Sequence, residues 1–260
     1  MDFETIVFAV DEGVATITLN RPEVMNGLNA RMRYEIQHAV AAASREARVL
    51  VITGAGRGFC SGQDLGDAPT GDVLDFERVL RDEYEPMLRA IYDCPIPSIA
   101  AVNGAAAGAG ANLALAADVV IAAESAVFIQ AFARIGLIPD AGGTYWLPRQ
   151  MGFARAMGAV LFAEPIRATQ AADWGMIWEA VPDAEFVERV GKRAAQLVRG
   201  PTTAYRLMKA ALRASFDNDL ERQLALEARL QGEAGSGADF AEGVSAFLEK
   251  RPARFLGAGS

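Results

Sequence analysis

PSIAAVNGAAAGAGANLALAADVVIAAESAVFIQAFARIGLIPDAGGTYWLP, residues 97–148, is the stretch from which the rest of the chain is read. Residues 99–102 are a short apolar run that stops at Asn103-Gly104 and passes into AAAGAGANLALAA, where side-chain bulk almost vanishes. This pattern predicts a buried strand, a glycine turn and the start of a helix. With so little bulk, a ligand can approach the N–H groups of the first helical turn, which have no partner inside the helix. Those groups, backed by the positive end of the helix dipole, suit an anionic or polarised oxygen. Upstream, VLVIT at residues 49–53 predicts another strand, which breaks into GAGRGFCSGQDL at residues 54–65. Two such loops can each aim one N–H at a single carbonyl oxygen, the requirement for an oxyanion hole.

Toward the N-terminus, residues 3–10 and 14–20 are alternating β-branched runs about Asp11-Glu12-Gly13, which predicts a hairpin ended by Arg21-Pro22. Asn29 is the expected N-cap of a helix carrying Met32, Ile36, Val40 and Ala43 on one stripe. His38, the only histidine, lies off that stripe and is expected on the solvated surface. After the first glycine loop, residues 68–71 are expected to be flexible and residues 73–91 helical. Leu74, Val79 or Leu80, Tyr84 and Leu88 form the apolar side, and Pro86 kinks or restarts the helix. A strand is expected over residues 118–123 and a helix from Gly142-Gly143-Thr144.

Beyond Pro182 the pattern turns helical. Phe186, Val190, Ala194 and Leu197 form one stripe; Leu207, Met208, Ala211 and Leu212 a second, starting at Pro201; Leu220, Leu224 and Ala228 a third. Gly235-Ser236-Gly237 precedes a last helix with Phe240, Val244, Phe247 and Leu248. Repeated strand, glycine turn and helix units give an α/β fold class.

GRGFCSGQDL (56–65), AAVNGAAAGAGANLAL (100–115) and FIQAFARIGLIPDAGGT (128–144) resemble, in order and spacing, the three signature segments of the crotonase (enoyl-CoA hydratase/isomerase) superfamily. With LNRPEVMNGLN (19–29) and FLEKR (247–251), the resemblance spans nearly the whole chain. It implies a crotonase-like ββα superhelix with a C-terminal helical oligomerisation region. Residues 1–182 would form the core with an acyl-CoA site, and residues 183–260 a trimerisation region, the trimers commonly pairing into hexamers. By motif position the oxyanion-hole donors are the N–H groups of Gln63 and Ala109. Ser61, Gln63 and Leu65 match positions along coenzyme A, which enters as part of the substrate and not as a separate cofactor. Arg21 and Lys250 are candidates for its phosphates, Lys250 from a neighbouring subunit.

Hydratases of the family carry two glutamates that position a water, and here those places hold Asn112 and Phe132. Asp140 instead brings a carboxylate where hydratases generally carry glycine. A capping role at the following helix is the bland alternative for that residue. The family context favours Asp140 as acid and base of an isomerase. In that role it takes a proton from one carbon and returns it to another while the oxyanion hole holds a thioester enolate.

AAGAGANLAL, GLIPDAGGT, RAMG (155–158), WGMIWE (174–179) and EGVSAFLEKR (242–251) are most similar to the ring-epoxide isomerases of phenylacetate degradation. The implied reactions are ring-1,2-epoxyphenylacetyl-CoA to oxepin-CoA and 3-enoyl-CoA to 2-enoyl-CoA. Tyr84, Phe132 and Trp146 are candidate pocket walls, and Glu85 a candidate second acid. Alternatives are an enoyl-CoA hydratase, a dehalogenase or thioesterase using Asp140 as nucleophile, and a non-enzymatic RNA-binding homologue.

Composition narrows the remaining classes. The chain has 260 residues, 52% of them hydrophobic, yet no apolar run long enough for a membrane span and no basic start typical of a signal peptide. Cys60 and Cys94 lack metal-site spacing, so neither metal nor disulfide is expected and the compartment is expected to be the reduced cytoplasm. A net charge of −8 and only three lysines, Lys192, Lys209 and Lys250, argue against nucleic-acid binding.

Overall fold

The computed structural model describes residues 3–64, 66 and 75–256. Strands β1 (Ile6–Asp11) and β2 (Val14–Leu19) form the expected antiparallel hairpin. Helix α1 (Ala30–Glu46) starts where Asn29 predicts, because the Asn29 side chain accepts a 2.8 Å hydrogen bond from the Met32 N–H. Such a cap contributes about 1 kcal/mol. Met32, Ile36, Val40 and Ala43 are buried as the stripe requires. Buried Glu35 accepts hydrogen bonds from the Glu4 and Thr5 N–H groups and the Thr5 hydroxyl, tying the chain start to α1. His38 is only half-exposed and stacks on Tyr34, ring centroids 3.9 Å apart.

Strands β3 (Val49–Gly54) and β4 (Gly58–Cys60) come next. Residues 68–71, expected to be flexible, and Leu74 lie outside the described residues. The helix expected over residues 73–91 has three parts: α2 (Phe76–Val79), a π-helical stretch Leu80–Tyr84, and α3 (Glu85–Tyr92). Pro86 has no N–H to give the preceding turn, and just before it the Glu85 N–H reaches five residues back to Leu80 O. The expected restart is therefore a widened turn.

One expectation is corrected in the central stretch. Strand β5 (Ser98–Val102) does not turn straight into a helix; Asn103-Gly104 leads first into a further strand, β6 (Ala105–Ala107), and only then does α4 (Ala109–Leu115) begin. Three alanines carry neither strand propensity nor alternation, which hid β6 in the sequence. Then follow β7 (Val119–Ala123), β8 (Val127–Ile129), a tight turn Ala131–Ile135, α5 (Gly143–Met151), α6 (Phe153–Phe162), β9 (Ile166–Arg167), α7 (Ala168–Asp173) and β10 (Glu179–Val181). The chain closes with α8 (Phe186–Val198), α9 (Thr202–Ala214), α10 (Leu220–Gly235) and α11 (Ala238–Glu249).

The strands lie in two sheets, ordered β1-β2-β3-β5-β7-β10 and β4-β6-β8-β9. β2, β3, β5, β7 and β10 run parallel, as do β4, β6 and β8. Each hop from β3 to β4, β5 to β6 and β7 to β8 therefore crosses from the large sheet to the small one; helices return directly after β4 and β6, and after β8 only once β9 has added to the small sheet. This is the ββα superhelix that the resemblance implies.

Strand alternation divides the core between the two faces of the large sheet. Leu50, Ile52, Ala100, Val102, Val120 and Ala122 join the cluster under α1, α3 and α4. Val49, Val51, Ile99, Ala101, Ile121 and Ala123 face Phe186, Val190 and Ala194 of α8. Burying side chains of this size contributes about 1.5–3 kcal/mol each. Helix α9 is pinned by charge: Lys209 and Arg213 both pair with Asp118 at 2.7 Å, and Lys209 also donates to Cys94 O and Ile96 O. By contrast, Met208, Leu212, Leu220, Leu224, Phe240, Val244, Phe247 and Leu248 on the tail stripes remain exposed in the single chain.

Candidate active site

Two loops meet at the seam between the sheets. The loop after β4 is fixed by Leu28, whose N–H donates to Gly62 O at 2.7 Å and whose carbonyl accepts from the Asp64 N–H at 3.1 Å. It is also fixed by fully buried Asn26, whose side-chain amide donates to Ala55 O, Gly58 O and Phe59 O. The second loop ends β6 and opens α4 at Ala109, whose N–H has no partner within the helix. The loops touch through glycine: a Cβ added at Gly62 would sit 3.3 Å from Ala109 N, and one at Gly110 only 2.4 Å from Cys60 O. The Gln63 and Ala109 peptides thus lie on adjoining loops. Cys60 beneath them is an inert thiol, its pKa pushed up to about 12 by burial.

Asp140 is held from the backbone side. Its carbonyl accepts 2.8 Å hydrogen bonds from Asn112 Nδ2 and from the Gly143 N–H, and Asn112 Oδ1 in turn accepts from Gln130 Nε2 at 2.9 Å. The loop continues through Ala141 at φ 47°, a left-handed conformation that costs a non-glycine residue about 1 kcal/mol and is more common at functional sites. The Asp140 side chain does not cap α5; Gly142 occupies the cap position. Instead its Oδ1 is buried with no hydrogen-bond partner among the described residues. Burial pushes this carboxyl up to about 6, with a hydrogen bond from its own backbone N–H acting the other way. A desolvated carboxyl with that value suits proton transfer near neutral pH.

Asn112→Ala should cost about 1–3 kcal/mol of stability, because it strands the buried Gln130 amide and frees the Asp140 carbonyl from one of its two donors. A clear fall in melting temperature is the expected result.

Around these groups, Tyr84 is buried and donates from its hydroxyl to Gln63 Oε1 at 2.6 Å. Its phenol is pushed upward first by burial, with the Asp140 charge adding to the rise against Arg33, which places it in the field of Asp140. Phe132 packs 3.7 Å from where a Cβ on Gly108 would stand. Trp146 donates from its indole to Ala141 O at 3.3 Å, meets Tyr145 edge to face and packs at a tilt against Tyr92.

The other candidates lie further out. Arg21 is paired with Asp64 at 2.7 Å and also donates to Gly27 O, beside the Gln63 loop. Ser61 is exposed and donates to Val24 O. Leu65 lies outside the described residues. Lys250 caps the C-terminal end of α11, away from these loops. Glu85 faces solvent in an ion pair with Arg89.

Sequence reasoning missed Asn26, Arg33 and Gln130, whose side chains hold the loops from behind; no periodicity marks an isolated polar residue turned inward. Among the described residues, no group of three or more His, Cys, Asp or Glu is placed to hold a metal, and no helix is long and apolar enough to cross a membrane.

The sequence profile described as enoyl-CoA hydratase/isomerase matches residues 9–258. A Rhodobacter capsulatus protein named probable enoyl-CoA hydratase is 64% identical over 99% of this chain and 100% of its own length. The 1,2-epoxyphenylacetyl-CoA isomerase of Escherichia coli is 47% identical over 98% of this chain and 99% of its own. The crystal structure of an enoyl-CoA hydratase from Bacillus anthracis superposes with a TM-score of 0.90 at 32% identity, covering 97% of this chain and 99% of that one.

Proposed function

The chain belongs to the enoyl-CoA hydratase/isomerase family, and from that membership we propose that it is an acyl-CoA isomerase with Asp140 as the single acid and base. One observation carries the proposal. The two places that hold glutamates in the family's hydratases carry Asn112, whose amide is engaged with Gln130 and the Asp140 carbonyl, and Phe132, while Asp140 brings a half-buried carboxyl whose Oδ1 has no hydrogen-bond partner among the described residues. The N–H groups of Gln63 and Ala109 bind the thioester oxygen. For a 3-enoyl-CoA, Asp140 takes a proton from C2, the enolate charge rests on the oxygen between the two N–H groups, and the same proton returns to C4. The double bond is then conjugated with the carbonyl and no atom is gained or lost.

The likeness to the Escherichia coli isomerase supports ring-1,2-epoxyphenylacetyl-CoA, converted to oxepin-CoA, as a further substrate. Phe132, Tyr84 and Trp146 supply aromatic walls suited to such a ring. Arg21, Ser61, Gln63, Leu65 and a partner's Lys250 are assigned to coenzyme A, and exposed apolar residues of the C-terminal helices such as Leu220, Phe240 and Phe247 suit a trimer or hexamer. The second reading, an enoyl-CoA hydratase, is favoured by the name of the 64% identical relative.

A direct comparison separates the two. Purified protein is given a 3-enoyl-CoA and crotonyl-CoA, and the conjugated thioester chromophore is followed. An isomerase brings up the chromophore from the first and bleaches it slowly from the second; rapid hydration of crotonyl-CoA would overturn the proposal. The pH profile adds a second check. Since the base must be ionised and its folded pKa is about 6, kcat/KM for the 3-enoyl-CoA should rise about tenfold per pH unit below that value and level off above it.

A further inference from the structure

Arg33 lies in α1 and is only 4% exposed, an expensive place for a guanidinium. Its charge is met by Glu83, which it grips through Nε at 3.2 Å and through Nη2. Burial opposes ionisation of Glu83, but the hydrogen bonds and charges of Arg33 first and of Arg78 at 3.2 Å second together outweigh it and hold that carboxyl below its usual range. The remaining Arg33 donor, Nη1, reaches Leu28 O at 2.8 Å and Gln63 Oε1 at 3.0 Å. Tyr84 donates to the same Gln63 oxygen, and the guanidinium lies over the Tyr84 ring at 4.7 Å. Glu83 and Tyr84 are consecutive residues of the π-helical stretch, whose widened turn brings both to the face that meets α1. Leu28 and Gln63 are themselves bridge partners. All of these donors thus converge on one short segment, the Gln63 peptide and the chain opposite it.

We infer that Arg33 is a positioning residue for the acyl-oxygen site, acting through the Gln63 side chain to fix the peptide whose N–H receives the thioester oxygen. The inference rests on the assignment of that N–H made above. A role confined to packing would be served at lower cost by an apolar side chain of similar volume. Lysine would keep the pair with Glu83 but has no planar fork to span Leu28 O and Gln63 Oε1 together.

The test uses Arg33→Met, Arg33→Lys, Gln63→Leu and the double variant Arg33→Met/Gln63→Leu in the full chain, with two readouts. The first is kcat and KM on a 3-enoyl-CoA. The second is the carbonyl stretch of bound butyryl-CoA labelled at the thioester carbon, which reports polarisation by the N–H donors without any turnover. A misplaced donor should lower kcat by about 100-fold in Arg33→Met and Gln63→Leu while KM moves by less than about 3-fold. Both variants should lose most of the red shift of the carbonyl, and the double variant should be no worse than the poorer single one. Additive losses in the double variant, or a full red shift in Arg33→Met, would overturn the inference. If Arg33→Met does not fold, Arg33→Lys decides on the same readouts, with a reduced red shift expected at an unchanged melting temperature. A wild-type red shift that depends on Arg33, in a protein inactive on 3-enoyl-CoA, would uphold the inference and sink the isomerase proposal. No red shift in the wild type would sink the donor assignment and the inference with it.

Discussion

Asp140→Asn should lower kcat on a 3-enoyl-CoA by about 1,000-fold, the middle of the range for losing a positioned acid–base group, with KM nearly unchanged. Asparagine keeps the shape and the two hydrogen bonds that hold the backbone carbonyl, so the loss isolates the proton transfer. The same substitution should raise stability at neutral pH. The Asp140 carboxyl has its pKa raised from 3.8 to about 6 in the folded protein, so ionisation opposes folding. That cost is absent below the unfolded value, grows through the interval between the two values and is complete above about 6. Removing it is worth up to about 3 kcal/mol, less whatever the new amide loses in the same space. Steady-state kinetics and thermal melts at pH 5 and about pH 8 read both effects. A variant within tenfold of wild-type activity would assign the chemistry to another acid.

Gly110→Ala should be nearly as damaging by a different route. The added methyl would stand 2.4 Å from Cys60 O and 2.7 Å from its sulfur, and the first of these is backbone that cannot turn away. The start of α4 must then separate from the loop after β4, pulling the Ala109 and Gln63 peptides apart. Misplacing a reacting geometry by about 1 Å can cost about 100-fold, and overpacking adds about 1–3 kcal/mol of destabilisation. Gly232→Ala in α10 is the control: a methyl there meets nothing within 4 Å, so stability should stay level or rise. Loss of kcat in Gly110→Ala with wild-type values in Gly232→Ala is the expected pair of results. Unimpaired turnover in Gly110→Ala would show that the spacing of these loops does not matter.

Where bulk and period act together, the sequence was legible: the hairpin, the α1 stripe and its Asn29 cap, and the buried strands around residues 49–54 and 98–102 read directly. β6 was not, because Ala105–Ala107 pairs with β4 only when the tertiary fold brings small residues side by side. The π-helical stretch was half legible: Pro86 announces a broken ladder but not the direction in which the turn widens. For the site, the motif positions named Gln63, Ala109 and Asp140, and the fold places the first two on touching loops. The polar residues behind them escaped notice because a buried hydrogen-bond partner is defined by three-dimensional neighbours. Arg33 sits on α1 next to Met32 of the apolar stripe, and on a helical wheel nothing distinguishes it from a solvated arginine. The tail stripes were legible as apolar, but not which residues pack on the same chain, as Phe186, Val190 and Ala194 do, and which stay exposed in it, as Leu220, Phe240 and Phe247 do.

The first two sheet-to-sheet hops, β3 to β4 and β5 to β6, carry one more consequence, evolutionary in kind. Donors that belong to the peptide chain survive nearly every point mutation at their own positions, because exchanging a side chain leaves the N–H in place. A carboxyl acid vanishes with a single codon change and can arise at another loop just as easily. A scaffold that grips a thioester with backbone and treats it with side chains can therefore drift from one reaction to another without ever losing its hold on the substrate.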